Sequence, residues 1–119
     1  MMNGKLAISG RLGENLSVQQ GQEAACMASL NALAAAKQHL GNLDRLKKLI
    51  KLTVLMATTE QFIDHASVAE GASELFVKIF GPAAGHVRLV YGVQSLPVGA
   101  PVVVETIFEI EPLPKKPNG

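Results

Sequence analysis

The sequence contains few of the residues that mark several large classes of protein. It has no tryptophan, one tyrosine and four phenylalanines in 119 residues, and only 18% of its residues are charged. The formal net charge is +1. Proteins that bind nucleic acids usually carry a basic stripe and aromatic platforms on which the bases stack. The composition therefore argues against a protein that binds DNA or RNA.

Cysteine and long apolar runs are scarce as well. Cys26 is the single cysteine, so the chain can form no internal disulfide and has no Cys-x-x-Cys metal site. No apolar run approaches the roughly 18 residues that mark a transmembrane helix. The start, Met1–Lys5, has no apolar signal region. We therefore expect a cytoplasmic protein without a membrane partner.

Apolar residues, in contrast, are abundant. They make up 48% of a chain whose length suits one domain. So few charges leave much apolar surface for polar residues to cover. Two interpretations stay open at this point: either the surface includes interfaces between subunits, or the core is unusually rich in alanine.

The first helix has clear signals at both ends. Ser17 followed by Gln20 predicts a capping box, in which each side chain bonds to the backbone of the other residue. The helical pattern continues to about Leu40, and Gly41 is typical of a helix C-terminus. The segment 46–57 then alternates apolar and polar residues and is rich in β-branched ones, which favours a strand, although its first residues also suit a helix.

The second half predicts another helix and two more strands. Thr58 and Thr59 resemble helix N-caps, and Gly81 with the following proline ends that helix. The segment 85–105 is then expected to form two strands of a hairpin, and Thr106–Ile110 extends the second of them.

The chain start resembles the second half of a hairpin. Asn3-Gly4 is a strong turn signal, and a plausible strand follows it to Ser9, but only two methionines precede it. We therefore expect a shortened N-terminus, with the first hairpin arm missing; the alternative is that Asn3-Gly4 is a chance dipeptide in a flexible chain end. The predicted fold is α+β, in the order strand-helix-strand-helix-strand-strand, with both helices on one sheet face. It forms a single domain over 1–111, and the proline-rich segment 112–119 is expected to be a mobile tail.

Two isolated charges stand out within the last two strands. Arg88 is the only charged residue between Lys78 and Glu105, and Glu105 follows three valines. Because a buried charge without a partner is costly, we expect both residues to face one pocket. The alternative is that Arg88 and Glu105 pair across adjacent strands as a structural salt bridge.

Several segments resemble the RidA family, also called YjgF, which consists of trimeric imine deaminases. The resemblance is to the branch labelled chorismate-mutase-like or endoribonuclease-like. Its segments are Ile8–Gly10, Leu30–Leu33, Gly41–Arg45, Lys51–Val54, Gly71–Leu75, Gly85–Arg88 and the long run Gly92–Phe108. The family implies a chorismate-mutase-like fold, a homotrimer and pockets between adjacent subunits.

The resemblance also implies roles for single residues. Arg88 corresponds to the arginine that grips the substrate carboxylate, Glu105 to the glutamate that positions or activates water, and Gly10 to a glycine that lines the pocket. Leu89 and Val90 stand where the best-known deaminases have a small residue and a cysteine, so this part of the pocket wall is more apolar.

These residues suit the hydrolysis of 2-imino or 2-enamino acids to 2-keto acids and ammonia. A guanidinium binds a carboxylate with two parallel hydrogen bonds, and one carboxyl group can move the protons, so the reaction needs no metal or cofactor. The alternative is a member of the same family that binds a small carboxylate for regulation, without turnover. His86 is a further candidate base, or else a histidine at the pocket rim. The near-neutral net charge argues against a ribonuclease.

Overall fold

A computed structural model of the protein describes residues 9–81 and 85–112. Its helices are α1 (Val18–Leu40) and α2 (His65–Phe80), its strands are β1 (Leu46–Ala57), β2 (Val87–Val93) and β3 (Val102–Ile110), and short 3-10 turns occupy Leu43–Arg45 and Pro97–Gly99. The predictions for the Asn3-Gly4 turn, the strand after it and the tail beyond residue 112 lie outside the described residues.

The predicted limits of α1 are confirmed. The backbone N–H of Gln20 donates to the Ser17 hydroxyl (3.2 Å), and the backbone N–H of Ser17 donates to the Gln20 side chain (2.9 Å). Gly41 ends the helix in the left-handed conformation, at φ 83°, and its N–H bonds to the Lys37 carbonyl. Such caps satisfy N–H and C=O groups that have no partner within the helix.

The predicted start of α2 is wrong, whereas its end at Gly81 is confirmed. The helix begins at His65, and Thr58 and Thr59 belong to the loop before it. Their backbone N–H groups donate to the carbonyls of Val93 (3.0 Å) and Leu12 (3.0 Å). These long-range bonds fix the two threonines in a loop that joins two other segments, so they do not cap the helix.

The sheet is mixed, and β1 is its central strand. β1 pairs with β2 in parallel and with β3 in antiparallel, so the strand order is β2-β1-β3. The predicted hairpin of β2 and β3 is therefore wrong, because β1 lies between them. The strand prediction for 46–57 and the α+β class are confirmed, and α2 forms the crossover that a parallel pair needs.

Both helices pack on one sheet face, which we call the helix face. The fully buried side chains there are Leu52, Val54 and Met56 of β1, and Val68 and Phe76 of α2 pack against them. On the second face, three apolar side chains of β2 and β3 remain largely accessible: Val87 is 58%, Tyr91 50% and Ile107 46% exposed. The sheet therefore has one well-covered face and one partly exposed apolar face.

Candidate functional site

Arg88 lies on the helix face of β2 and binds to α2. Its register partner on β1 is the buried Leu52, which fixes the face to which its side chain points. Nη1 of Arg88 donates to Oε1 of Glu70 (2.7 Å) and to the hydroxyl oxygen of Ser73 (3.2 Å). The Arg88 side chain is 29% exposed, so a ligand can still reach it.

The remaining donors of Arg88 are available to a ligand. Within residues 9–81 and 85–112, neither Nε nor Nη2 makes a hydrogen bond. These two nitrogens form one of the edges with which a guanidinium grips a carboxylate. His86, two residues before Arg88, adds little positive charge, because burial and then the Arg88 charge lower its pKa.

Glu105 points to the other side of the sheet. Its register partner is Thr53, whose hydroxyl donates to Oε1 of Glu105 at 3.2 Å. Since Leu52 and Thr53 are consecutive, their side chains and those of their partners point to opposite faces. The expectation that Arg88 and Glu105 face one pocket is therefore wrong within a single chain. The alternative of a salt bridge between adjacent strands is wrong too, because β1 separates β2 from β3.

Gly10 lies near the far end of the sheet from Arg88. Its N–H donates to the carbonyl of Gly99 (3.1 Å), close to the end of β1 at Ala57. Ala57 is five positions beyond Leu52, the partner of Arg88, which corresponds to about 16 Å along a strand. Gly10 and Arg88 of one chain therefore cannot contact the same small ligand.

The loop that contains Gly10 borders a cleft of about 590 Å³. Arg11 lines this cleft, and its Nη2 donates to the carbonyl of Gln94 (2.7 Å) while its Nη1 lies 3.8 Å from Glu14. Arg11 thus ties the loop to the end of β2. The Gly10 backbone, at φ 129°, adopts a conformation that favours glycine, and a side chain there would overlap Asn15.

The two apolar positions after Arg88 separate in space. Leu89 pairs with Thr53 and shares the second face with Glu105, whereas Val90 pairs with Val54 and packs against the core on the helix face. Within one chain, only Val90 lies on the side of Arg88. The chain thus brings Arg88 together with Glu70 and Ser73, and it keeps Glu105, Leu89 and Gly10 apart from them.

Comparison with known proteins supplies the family. A family model described as "YjgF/chorismate_mutase-like, putative endoribonuclease" matches residues 1–110, nearly the whole chain. The chain belongs to the YjgF family. This confirms the resemblance inferred from the sequence segments, and it agrees with two helices on a mixed sheet.

Related proteins support the YjgF assignment in sequence and in fold. "Protein TCP17" of Trypanosoma cruzi is 38% identical over 104 residues, which cover 87% of this chain and 65% of that protein. The crystal structure of Atu1372 from Agrobacterium tumefaciens, a protein of unknown function, has a TM-score of 0.88 and 35% identity, and covers 93% of this chain and 71% of that one. A "putative endoribonuclease" from Shewanella oneidensis MR-1 has a TM-score of 0.86 and 33% identity, and covers 92% and 73%.

Sequence reasoning missed Glu70 and Ser73 in this YjgF chain. They are one helical turn apart, so they lie on the same side of α2. Ser73 is only 8% exposed and shares that part of α2 with the fully buried Ala69, Ala72 and Phe76. The sequence signal that could have found them is two polar residues three positions apart, next to the buried stripe of a helix.

Other kinds of site are not found in the described part of the chain. Residues 9–81 and 85–112 contain no group of three or more His, Cys, Asp or Glu side chains arranged to hold a metal ion. None of the helices in these ranges has the length and apolar character that crossing a membrane requires.

Proposed function

We propose that this YjgF-family protein hydrolyses small 2-imino or 2-enamino acids to 2-keto acids and ammonia, in a pocket between subunits. The observation that supports the proposal is that only part of the Arg88 guanidinium is hydrogen-bonded. Glu70 and Ser73 hold one end of its guanidinium, and the Nε/Nη2 edge has no acceptor among the described residues. A substrate carboxylate fits that edge with two parallel hydrogen bonds.

A second subunit is needed to complete such a pocket. Glu105 is on the opposite face from Arg88, and Gly10 lies beside Ala57, which is about 16 Å along β1 from the register partner of Arg88. β2 is an edge strand of the three-stranded sheet formed by the described residues, so a neighbouring chain can approach Arg88 there. The exposed apolar side chains Val87, Tyr91 and Ile107 favour burial of the second face in a homotrimer.

We expect the protein to sediment as a trimer and Tyr91→Glu to sediment mainly as smaller species. The substitution puts a charge into an interface where it has no partner, which is costly. Leu30→Glu is the matched control, because Leu30 is 49% exposed on α1, away from the second face. Sedimentation of wild-type protein as a monomer, or equal behaviour of the two variants, would contradict this assembly.

The chemistry assigned to Glu105 is proton transfer. Water attacks the imine carbon and passes a proton to the Glu105 carboxylate, and the oxygen becomes bound to that carbon. Glu105 returns that proton to the nitrogen, which gives a tetrahedral adduct with one hydroxyl and one amino group. Glu105 then moves the hydroxyl proton to the amino nitrogen as the carbon–oxygen double bond forms and the carbon–nitrogen bond breaks, and ammonia and the 2-keto acid leave. Acid–base assistance of this kind contributes about 10² to 10⁴ in rate. Thr53, which donates to Glu105, orients the carboxylate.

Glu105→Gln is expected to lower the hydrolysis rate by about 10², at the lower end of that range because glutamine still hydrogen-bonds to water. The affinity for 2-oxobutanoate, a keto-acid product, should not change, since Arg88 is intact. The assay measures ammonia released from imines that an amino-acid oxidase generates in place. A Gln variant as fast as the wild type would remove Glu105 from the mechanism.

The second candidate function is the binding of a small carboxylate without turnover. One observation favours it. Within a chain, no described carboxylate other than that of Glu70 contacts Arg88, and Glu70 is already bound to Nη1, so no second carboxylate lies beside Arg88 to move protons. A trimeric wild-type protein that binds 2-oxobutanoate but does not accelerate ammonia release would establish this function in place of the first. Ribonuclease activity, which the family description suggests, has little support from a net charge of +1.

A further inference from the structure

We infer that Glu70 is a positioning residue that aligns the Arg88 guanidinium and restricts the ligand to a single carboxylate. The inference rests on the proposed carboxylate-binding role of Arg88. It adds a residue from α2 to the site and a rule for which ligands the site accepts.

The alignment follows from how the guanidinium is held. Glu70 and Ser73 both accept from the same nitrogen, Nη1 of Arg88, at 2.7 and 3.2 Å. Because the guanidinium is planar and rigid, two acceptors on Nη1 also set the direction of the Nε/Nη2 edge. A carboxylate then meets a fork that is already oriented, so less freedom is lost on binding.

The support for these acceptors is rigid. Glu70 and Ser73 are on α2, whose neighbouring side chains Val68, Ala72 and Phe76 are at most 1% exposed. Ser73 itself is buried, while Glu70 is about half exposed at its side chain. The helix therefore holds both acceptors in fixed positions against β2, and the outer carboxylate oxygen of Glu70 remains at the solvent boundary.

The restriction follows from charge. Glu70 balances the charge of Arg88, and His86 adds little, because its lowered pKa keeps the imidazole largely neutral at pH 7. One ligand carboxylate still gains two charge-assisted hydrogen bonds. A second carboxylate on the ligand would add a negative charge to a site that already holds Glu70, and no cation among residues 9–81 and 85–112 other than Arg88 pairs with Glu70. The site should therefore discriminate against dicarboxylates.

Two substitutions separate alignment from charge. Glu70→Gln keeps an acceptor for Nη1 but removes the negative charge, whereas Glu70→Ala removes both. Glu60→Gln is the matched control, since it removes one exposed charge from the loop before α2, beside Gly92 and Val93 and away from Arg88. The probes are 2-oxobutanoate and 2-oxoglutarate, with Kd measured by calorimetry on the assembled protein.

The wild-type protein is expected to bind 2-oxobutanoate at least tenfold more tightly than 2-oxoglutarate. Glu70→Gln should keep the first affinity within about threefold and improve the second by about tenfold, which is the effect of one partly screened charge a few ångströms away. Glu70→Ala should weaken 2-oxobutanoate by about tenfold, since the guanidinium loses its orientation. Glu60→Gln should change neither Kd.

The possible failures are distinguishable. If Arg88→Ala binds 2-oxobutanoate as well as the wild type does, the proposed function itself fails. If Arg88→Ala loses binding while Glu70→Gln keeps the wild-type ratio of the two Kd values, only the role of Glu70 is refuted. The ratio is the deciding quantity because a purely structural effect weakens both ligands alike. It can be read from Glu70→Gln even if Glu70→Ala does not fold.

Discussion

Arg88→Ala is expected to lower kcat/KM for imine hydrolysis by about 10³ and to remove measurable binding of 2-oxobutanoate. Removing one partner of a charge pair in a binding site costs about 2 to 5 kcal/mol, and about 4 kcal/mol corresponds to 10³. Both ground state and transition state carry the carboxylate, so most of the loss should appear as a higher KM.

The same substitution should affect folding little. Glu70 loses its partner, but its side chain is 47% exposed, so water can solvate the carboxylate. Ion pairs at such positions contribute about 0 to 1 kcal/mol to stability. An unchanged thermal midpoint together with lost binding would therefore locate the effect in the ligand site.

Arg88→Lys is the control for this prediction. It keeps the positive charge but has no planar fork, so activity should fall by about 10- to 100-fold, less than in the alanine variant. If a trimeric Arg88→Ala protein keeps activity within threefold of the wild type, the carboxylate binds elsewhere. The cleft beside Arg11 and Gly10 would then be the candidate to test.

The parts of the fold that the sequence predicted correctly are those with local causes. A capping box depends on residues three apart, so Ser17 and Gln20 were enough to place the start of α1. The failures have distant causes. Thr58 and Thr59 carry a helix-start signal, but their N–H groups bond to Val93 and Leu12, which a local pattern cannot reveal.

The candidate site, like the fold, was predicted only in part. Arg88 stood out as a lone charge in an apolar strand, and it does lie at a polar contact. Its partners Glu70 and Ser73 precede it by 18 and 15 positions, and only the parallel pairing of β1 with β2, with α2 crossing between them, brings them together. Two features that the sequence does not show put Glu105 on the face opposite Arg88. β1 lies between β2 and β3, and Glu105 pairs with Thr53 rather than with the neighbouring Leu52.

Gly71→Ala is expected to destabilise the folded protein by about 3 kcal/mol, at the upper end of the usual cost of overpacking. Gly71 is on α2 and faces the backbone of α1. A Cβ there would overlap the backbone carbonyl oxygen of Gln22 on α1 and would lie 2.7 Å from its carbonyl carbon. Backbone atoms cannot rotate away as a side-chain end can. The hydrogen bond from the Gln22 side chain to the Ser67 carbonyl (2.8 Å) crosses the same contact and would be strained when the helices separate.

The predicted loss of stability is opposite in sign to the change that helix propensity predicts, so the thermal midpoint distinguishes the two. Alanine in place of glycine inside an exposed helix normally stabilises by about 1 kcal/mol, so helix propensity alone predicts a higher thermal midpoint. The helix contact predicts a midpoint lower by roughly 10 °C, from about 4 °C per kcal/mol at this chain length. Gly85→Ala is the control, since no atom of residues 9–81 and 85–112, apart from its chain neighbours, lies within 4 Å of the added Cβ, and its midpoint should not move. Because Glu70 precedes Gly71 directly, displacement of α2 should also weaken 2-oxobutanoate binding. A Gly71→Ala protein as stable as the wild type would mean that α1 and α2 lie farther apart, and that α2 is not the rigid support proposed for Arg88.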